Sequence, residues 1–478
     1  MTTETILSVG IDIGTSTTQV IFSRIAMENT SGFFTVPHVS IVKKEVVYKS
    51  PVYTTPLKSD YLIDTQAVRD IVAKEFASAG YRPSDTGSGA VIITGESARK
   101  ENSDAVLESL SSFAGDFVVS AAGPDMESVI AGKGSGAYQY SIDQHCCVAN
   151  LDVGGGTTNI VVFNDGEVIA RGCLDIGGRL IRIGADGIVT KVSPAAAEAA
   201  KAAGITIQVG SPADAKTLGK ITDQMALALA DYMDGGTKYP DLLKKIITPG
   251  SSILSCSAKI SYLCFSVGVA DAVYNENDQL FPYGDIGILL GNSIKKSRLL
   301  RDYRLIPAGE TIRATVVGAG TYTTTVSGST ITYSENLFPL KNIPVLRMTE
   351  KEQEDCFRGE ATALRMRIRW FLNQNDEKRM VLAMEGKKDP SYSEIRLAAD
   401  CLAEALMAEL EEEAPLLLVI STDIGKALGQ LMRQNIHDER PVIAIDRVHV
   451  EDGDFVDMGK PILDGLAIPI VVKTLIFG

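Results

Sequence analysis

Asp152-Val153-Gly154-Gly155-Gly156-Thr157-Thr158-Asn159 is the stretch on which the reading of this chain turns. Apolar residues lead into it (Val148-Ala149-Asn150-Leu151), and others follow it (Ile160-Val161-Val162-Phe163). Asn164-Asp165-Gly166 then reads as a hairpin turn, with Glu167 to Arg171 as the returning strand. Three glycines in a row carry no side chain to hold a ligand off, and they permit positive φ. Their N–H groups can face phosphate oxygens, and Thr157 and Thr158 add hydroxyl donors. Asp152 closes its strand beside that loop, where a carboxylate suits a water bound to Mg2+.

The same layout recurs near the N-terminus as Val9-Gly10-Ile11-Asp12-Ile13-Gly14-Thr15-Ser16-Thr17-Thr18, then Gln19-Val20-Ile21-Phe22. Both copies read Asp-x-Gly, a Thr/Ser cluster and an apolar strand. One glycine turn is a weak motif. Two matching hairpins about 140 residues apart predict two related lobes that face one phosphate chain. The alternative is a pair of unrelated β-hairpins, which need fewer glycines and no strand-ending Asp.

Gly10 to Val20 resembles the first phosphate motif of the actin/Hsp70/sugar-kinase superfamily, and Ala149 to Phe163 resembles its second. Within that superfamily the chain is similar to the reactivating factors of ethanolamine ammonia-lyase. The segments that carry this are Thr94 to Asn102, Ala122-Gly123-Pro124 with Ile130 to Gly134, and Val450 to Asp454. The resemblance implies an α/β, two-lobed actin-like (ribonuclease H-like) ATPase fold with an additional C-terminal α/β region. It implies ATP and Mg2+ as cofactors. Asp12 and Asp152 would hold Mg2+ through water. Gly14, Thr15, Ser16, Thr17, Gly154, Gly155, Gly156, Thr157 and Thr158 would hold the phosphates.

Ser261 to Ala270 resembles the adenosine motif, with Ser266 and Gly268 at the nucleoside and Val267 where a further glycine is usual. Gly318-Ala319-Gly320 is a rival for that motif, ranked lower because strand-like residues follow it. Met126 to Ala131 corresponds to the first interdomain connector, and Asp285 to Ile294 resembles the second. Relatives often carry Glu before the connector proline to orient the attacking water; here the position is Gly123. Glu127 is the candidate to replace it, with Asp125 nearby. Its alternative role is an ordinary solvated helix residue. Arg99 and Lys100 are cations of the same lobe that either reach the outer phosphates or begin a solvated helix.

Outside these motifs, the spacing predicts helices over 65–79 (closed by Gly80), 103–113, 195–203 and 221–233. Strands are expected at 90–93 and 117–120. Beyond residue 300, residues 312–317 and 321–333 read as β-like, 342–355 as a polar connector and 456–459 as loop. Strand 379–384, helix 391–412, strand 416–421, helix 423–433 and strand 442–446 alternate, which argues for a parallel sheet. Residues 468–477 read as a last strand. The expected division is a first lobe at 1–147, a second at 148–300 and the C-terminal region at 301–478.

The 478 residues are 45% hydrophobic and 22% charged, with a net charge of −14. That is enough apolar surface for several cores, and the charge speaks against nucleic acid or an anionic membrane as partner. Seven cysteines without a Cys-x-x-Cys pair read as buried thiols in a reducing cytosol. No basic leader or membrane-length apolar run is read, so the location expected is cytoplasmic, extending to association with a bacterial microcompartment. The four histidines show no metal-ligand spacing. Asp143-Gln144-His145 lacks the glycine of a corrinoid lower-ligand motif, because Val148 stands there, so no bound cobalamin is expected.

The resemblance implies a chaperone-like ATPase. It would bind ethanolamine ammonia-lyase stalled with damaged cobalamin and use ATP and Mg2+ to release the spent cofactor. The expected partners are the cobalamin-bound lyase and further copies of the chain. A small-molecule kinase and an actin-like scaffold are the rival readings of the same cleft.

Overall fold

A computed structural model describes residues 3–14, 17–29, 39–59, 62–94, 97, 101–111, 113, 124–277, 279–322, 325–326, 337–374, 378–436, 440–461 and 468–474. Its first sheet grows from the N-terminal hairpin of β1 (Thr3–Ile13) and β2 (Thr17–Asn29). β3 (Val39–Lys49) follows, then the short strands β4 (Tyr53–Thr54), β5 (Leu57–Ser59) and β6 (Leu62–Ile63), helix α1 (Thr65–Ala79) and β7 (Thr86–Ile93). The order is β3-β2-β1-β7, antiparallel except that β7 runs parallel to β1. Alternation decides the faces. Val9, Ile11, Ile13 and Phe22 meet Val72 and Phe76 of α1 and Leu110 of α2 (Ser103–Ser111). The opposite face of β1 carries Ser8, Gly10 and Asp12, small or polar and all buried. Helix α1 has its expected bounds. Asp64 caps it by accepting from the Ala67 N–H, and Gly80 ends it at φ 77°.

The second sheet repeats that topology. Helices α3 (Pro124–Gly134) and α4 (Ala137–Asp143) lead to β8 (Cys147–Val153), β9 (Thr158–Asn164) and β10 (Glu167–Leu174). After the small hairpin β11 (Ile181–Ile183) and β12 (Val189–Val192) come α5 (Pro194–Ala202), α6 (Ala215–Met233) and α7 (Pro240–Ile246). β13 (Tyr262–Ser266), α8 (Ala270–Tyr274), α9 (Gly287–Lys296), α10 (Leu299–Asp302) and β14 (Arg304–Leu305) complete it. The order β10-β9-β8-β13-β14 places an antiparallel trio beside a parallel strand, as in the first sheet. The expected α/β, two-lobed actin-like architecture is therefore present.

α11 (Ala314–Tyr322) joins the two halves. It packs on α3 and also on β1, β2 and β7. A Cβ on Gly134 would stand 1.8 Å from the Ala314 carbonyl oxygen, and one on Gly318 would stand 2.0 Å from that of Ile130. The helix backbones touch where side chains would normally hold them apart. This corrects two expectations. Residues 312–317 are not a strand, and Gly318-Ala319-Gly320 is not a turn but part of a buried helix. The segment 285–294 is not the second connector either. α9 packs on α6 and α8 inside the second lobe, with Gly291 against Ala272. α11 lies beyond residue 300 yet packs on first-lobe strands.

The C-terminal unit has a seven-stranded sheet. Its elements are β15 (Thr325–Val326), β16 (Leu340–Arg347), α12 (Glu350–Phe357), α13 (Thr362–Gln374), β17 (Val381–Met384), α14 (Tyr392–Glu409), β18 (Leu416–Ile420), α15 (Gly425–Asn435), β19 (Val442–Asp446), β20 (Asp454–Met458) and β21 (Pro469–Thr474). β16 to β19 run parallel, in line with the expected alternation. Leu382, Leu418 and Ala444 face the helices, whereas Val381, Leu417 and Ile443 face away. Residues 342–355 are β16 and the start of α12, not a connector. Residues 456–459 lie largely in β20, whose alternate residues Val456 and Met458 are buried. The strands at 340–347 and 454–458 owe their form to pairing with each other across the sequence, which local composition does not reveal. Val471 of β21 packs with Ala90, Ile92, Ile130 and Ala319, which seats this unit on the first lobe. All seven cysteines are free. Among the described residues no helix is long and apolar enough to cross a membrane. The strand expected at 117–120 lies outside the described residues.

The crossing of α3 and α11 makes a sharp prediction. Gly318→Ala forces a methyl into the Ile130 carbonyl and is expected to cost about 2–3 kcal/mol. Gly219→Ala, on α6 with open space around it, is expected to stabilise by up to about 1 kcal/mol through helix propensity. Thermal unfolding of the two variants should shift in opposite directions.

Candidate functional site

The two glycine hairpins have matching registers. In the first, Asp12 pairs with Gln19 and Ile13 with Thr18. In the second, Asp152 pairs with Asn159 and Val153 with Thr158. Each loop is closed by the same bond: the Gly14 N–H donates to the Thr17 carbonyl at 2.8 Å, and the Gly154 N–H to the Thr157 carbonyl at 2.9 Å. Each hairpin therefore delivers one aspartate to the same corner of its loop.

Those aspartates are 7% and 2% exposed. A threonine hydroxyl donates to each. Thr94, just past β7, reaches Asp12 at 3.3 Å, and Thr315 of α11 reaches Asp152 at 3.4 Å. Burial pushes Asp12 up to about 7, against the opposing bond from Thr94. Burial raises Asp152 as well, and the charge of Asp12 raises it further. The hairpins thus bring two carboxylates of different lobes close enough to repel. Two hard oxygen donors under mutual repulsion fit a divalent cation such as Mg2+. Among the described residues no set of three or more Asp, Glu, His or Cys could complete a metal site alone. A cation held here by water and phosphate oxygens fits that arrangement.

The second loop has open donors. The N–H groups of Gly155 and Gly156 have no protein partner among the described residues, and neither has the Thr157 hydroxyl. A Cβ at Gly156 would meet nothing within 4 Å. None of the three glycines has positive φ, so what they provide is room and bare amides, not the unusual backbone the sequence suggested. The loop is held from behind by Gly178 N–H to the Gly154 carbonyl at 3.0 Å and Arg179 N–H to the Gly155 carbonyl at 2.7 Å. In the first loop, Thr55 and Ser97 hydroxyls donate to the Gly14 carbonyl at 2.7 and 3.0 Å. Thr17 borders that loop half-buried, while Thr15 and Ser16 lie outside the described residues.

Two candidate ligands have other duties. Thr158 is fully buried, and its hydroxyl donates to the Ile176 carbonyl at 2.8 Å. It anchors the loop and does not face phosphate. Ser266 is also fully buried and accepts from Asn150 at 3.0 Å, while Asn150 accepts from Ser135 at 2.8 Å. It belongs to a polar network under the sheet. Gly268 does border open space. Val267 adopts φ 65°, a strained conformation for a β-branched residue, with its N–H bonded to the Thr311 carbonyl at 2.9 Å.

Glu127 sits half-buried in the first turn of α3. Gly123, Arg99 and Lys100 lie outside the described residues. The sequence reading assigned three residues no role at the site. Thr94 opened a segment of the resemblance without being tied to Asp12, and Thr315 had no motif of its own. Arg179 packs its methylenes 3.4 Å from a Cβ on Gly155 and pairs with Asp285 at 3.5 Å. Its signal was its position after Gly177-Gly178, at the mouth of the second loop.

The family model described as "Ethanolamine utilisation protein EutA" matches residues 4–478. The ethanolamine ammonia-lyase reactivase EutA of Salmonella typhimurium is 35% identical over 487 residues and spans all of both chains. The protein of that name from Escherichia coli is 35% identical over 478 residues, again across the full length of both. Among solved structures, the Aquifex aeolicus PPX-GPPA enzyme aligns with 66% of this chain and 90% of its own, at 14% identity and a TM-score of 0.37.

The carboxylate pair has a pH signature. Both carboxyls bind protons more tightly in the folded chain than at the ordinary aspartate value of 3.8. The folded state therefore holds extra protons between pH 4 and about 7 and loses stability as pH rises through that window. Asp152→Asn removes the repulsion. Without nucleotide or metal it is expected to unfold at the wild-type temperature at pH 4 and at a higher one at pH 8, by roughly 2 kcal/mol. A difference independent of pH would contradict the pairing.

Proposed function

The chain belongs to the EutA family of ethanolamine utilisation proteins, and from that premise we propose that it is an ethanolamine ammonia-lyase reactivase. In this reading it is an ATP hydrolase that binds lyase holding damaged cobalamin and couples ATP and Mg2+ to release of the spent cofactor. The observation that carries the reading is the buried pair Asp12 and Asp152, one from each lobe, at matched corners of matched hairpins.

Bound Mg2+ supplies positive charge where negative charge builds up during phosphoryl transfer. Asp12 and Asp152 would hold it through water. The loop at 14–17 and the bare amides of Gly155 and Gly156, with the Thr157 hydroxyl, would take the phosphate oxygens. Such preorganised donors stabilise charge without reorganising. Arg179 stands beside the second loop as a further positive group. Gly268 leaves space for the nucleoside, next to the strained turn at Val267. Glu127 is the carboxylate assigned to orient the attacking water.

Motion follows from how α11 is tied. The segment leading into it is held by the first lobe: Gln19 donates to the Ile312 carbonyl at 3.2 Å, Arg313 to the Ser50 carbonyl at 3.1 Å, and Lys49 pairs with Glu310. One turn later Thr315 is bonded to Asp152 of the second lobe. A change in charge around Asp152 therefore reaches first-lobe contacts through one short helix, which is a route from hydrolysis to lobe angle. In this reading the lobes divide not at 147 and 300, as expected, but before α3 and after β14, because α3 and α4 pack on the second sheet and β14 pairs with β13; α11 returns to the first lobe, and the C-terminal unit from β15 onward grips the lyase. The reading carries with it a cytoplasmic location associated with a bacterial microcompartment.

The test is recovery of ethanolamine ammonia-lyase inactivated with cyanocobalamin, measured alongside ATP hydrolysis. Wild type is expected to restore activity only with ATP, Mg2+ and fresh adenosylcobalamin. Asp152→Ala is expected to lose at least about tenfold of both activities. Hydrolysis without recovery would move the chain to another use of the same cleft, and phosphate transfer to a small acceptor would make it a kinase.

A further inference from the structure

On the nucleotide reading of this site, we propose that Arg179 binds the nucleotide's phosphate in exchange for Asp285, so that one carboxylate of the protein competes with the ligand and sets its affinity. The backbone places Arg179. Its N–H donates to the Gly155 carbonyl at 2.7 Å, and its Cβ, Cγ and Cδ run along Gly155, where a Cβ would stand 3.4 to 3.5 Å from them. The arginine stem therefore lies against the loop whose Gly155 and Gly156 amides and Thr157 hydroxyl are bare among the described residues.

The contact with Asp285 is loose. Arg179 Nε stands 3.5 Å from Asp285 Oδ2, well beyond a charge-assisted hydrogen bond. The two terminal nitrogens make no protein hydrogen bond among the described residues. The side chain is 32% exposed, so packing does not lock it. A guanidinium carries five N–H donors in a planar fork that fits phosphate oxygens two at a time. A phosphate therefore offers Arg179 more than Asp285 does.

Asp285 can give the arginine up. It also accepts from the Gly287 N–H at 2.9 Å, at the start of α9, where a helix N-terminus favours a carboxylate. Burial raises Asp285 above the ordinary aspartate value, and the Gly287 N–H, Arg179 and Arg182 oppose that rise. Gly287 and Arg182 remain after the exchange. Nor is the ion pair needed to hold its two segments together. The Gly178 N–H donates to the Gly154 carbonyl at 3.0 Å, and the Ile286 N–H to the Gly178 carbonyl at 3.0 Å, so backbone bonds already tie the loop to the head of α9.

Calorimetric titration of Mg-ATP into the full chain tests the exchange. Arg179→Gln keeps the three stem carbons and drops the charge. Asp285→Asn keeps an acceptor for Gly287 and drops the charge. Arg179→Gln is expected to weaken Mg-ATP binding at least about tenfold. Asp285→Asn is expected to tighten it about threefold, because Arg179 is freed from a half-exposed pair. The double variant should match Arg179→Gln alone, because Asp285 acts through Arg179. Misfolding cannot tighten binding, so the Asp285 arm reads the exchange by itself. With a wild type that binds Mg-ATP, unchanged or weaker binding by Asp285→Asn would overturn the exchange, as would full affinity in Arg179→Gln. A double variant that binds more tightly than Arg179→Gln would mean that Asp285 repels phosphate directly, and would overturn it too. A wild type that does not bind Mg-ATP would sink the nucleotide reading, and the exchange with it.

Discussion

The contact between α3 and α11 sets the geometry of everything else. Gly134 lies against the Ala314 carbonyl and Gly318 against that of Ile130, with no room for a methyl at either point. Close backbone approach of this kind leaves two rigid rods that pivot but do not drift, because dispersion contacts are lost steeply with separation. The sheet beneath is cut to match. Ser8 and Gly10 present little bulk on the face of β1 that α11 approaches, while Val9, Ile11 and Ile13 fill the other face. α11 carries Thr315 to Asp152 from this crossing, so the helix that joins the lobes also holds a residue of the site.

The site itself trades stability for charge. Two buried carboxylates that repel are a standing cost in the unliganded protein. A cation entering the proposed site would recover that cost, which would give the ligand a differential free energy between states and hence the power to shift an equilibrium. Strain at Val267 belongs to the same pattern. A β-branched residue at φ 65° persists because its N–H is held by Thr311 and the next turn by the Val153 carbonyl.

Much of this was legible in the residues. The twin Asp-x-Gly hairpins pointed to two lobes, because an ordinary hairpin requires neither a strand-ending acid nor a second copy of itself. Helix 65–79 and the alternation from 381 to 446 follow from periodicity alone. α11 does not. Its Thr and Val residues favour strand, and its helical state is imposed by burial against α3, a tertiary cause that no local pattern contains. Thr158 and Ser266 illustrate the same limit at the site. A hydroxyl in a nucleotide motif looks like a ligand until Thr158 is seen to donate to the Ile176 carbonyl and Ser266 to accept from Asn150 within a buried network. The pairing of β16 with β20 joins residues over a hundred positions apart, and it was equally invisible.

The central claim is that two hairpins from two lobes form one nucleotide site. Calorimetric titration of Mg-ATP into wild type, Gly14→Ala, Gly156→Ala and the double variant tests it most directly. If both loops hold one phosphate chain, each single substitution weakens binding at least about tenfold, and the double variant loses less than the product of the two, because the effects are coupled through a shared ligand. Unchanged affinity in either single variant would mean that its loop does not touch the nucleotide, and the two-sided site would be wrong.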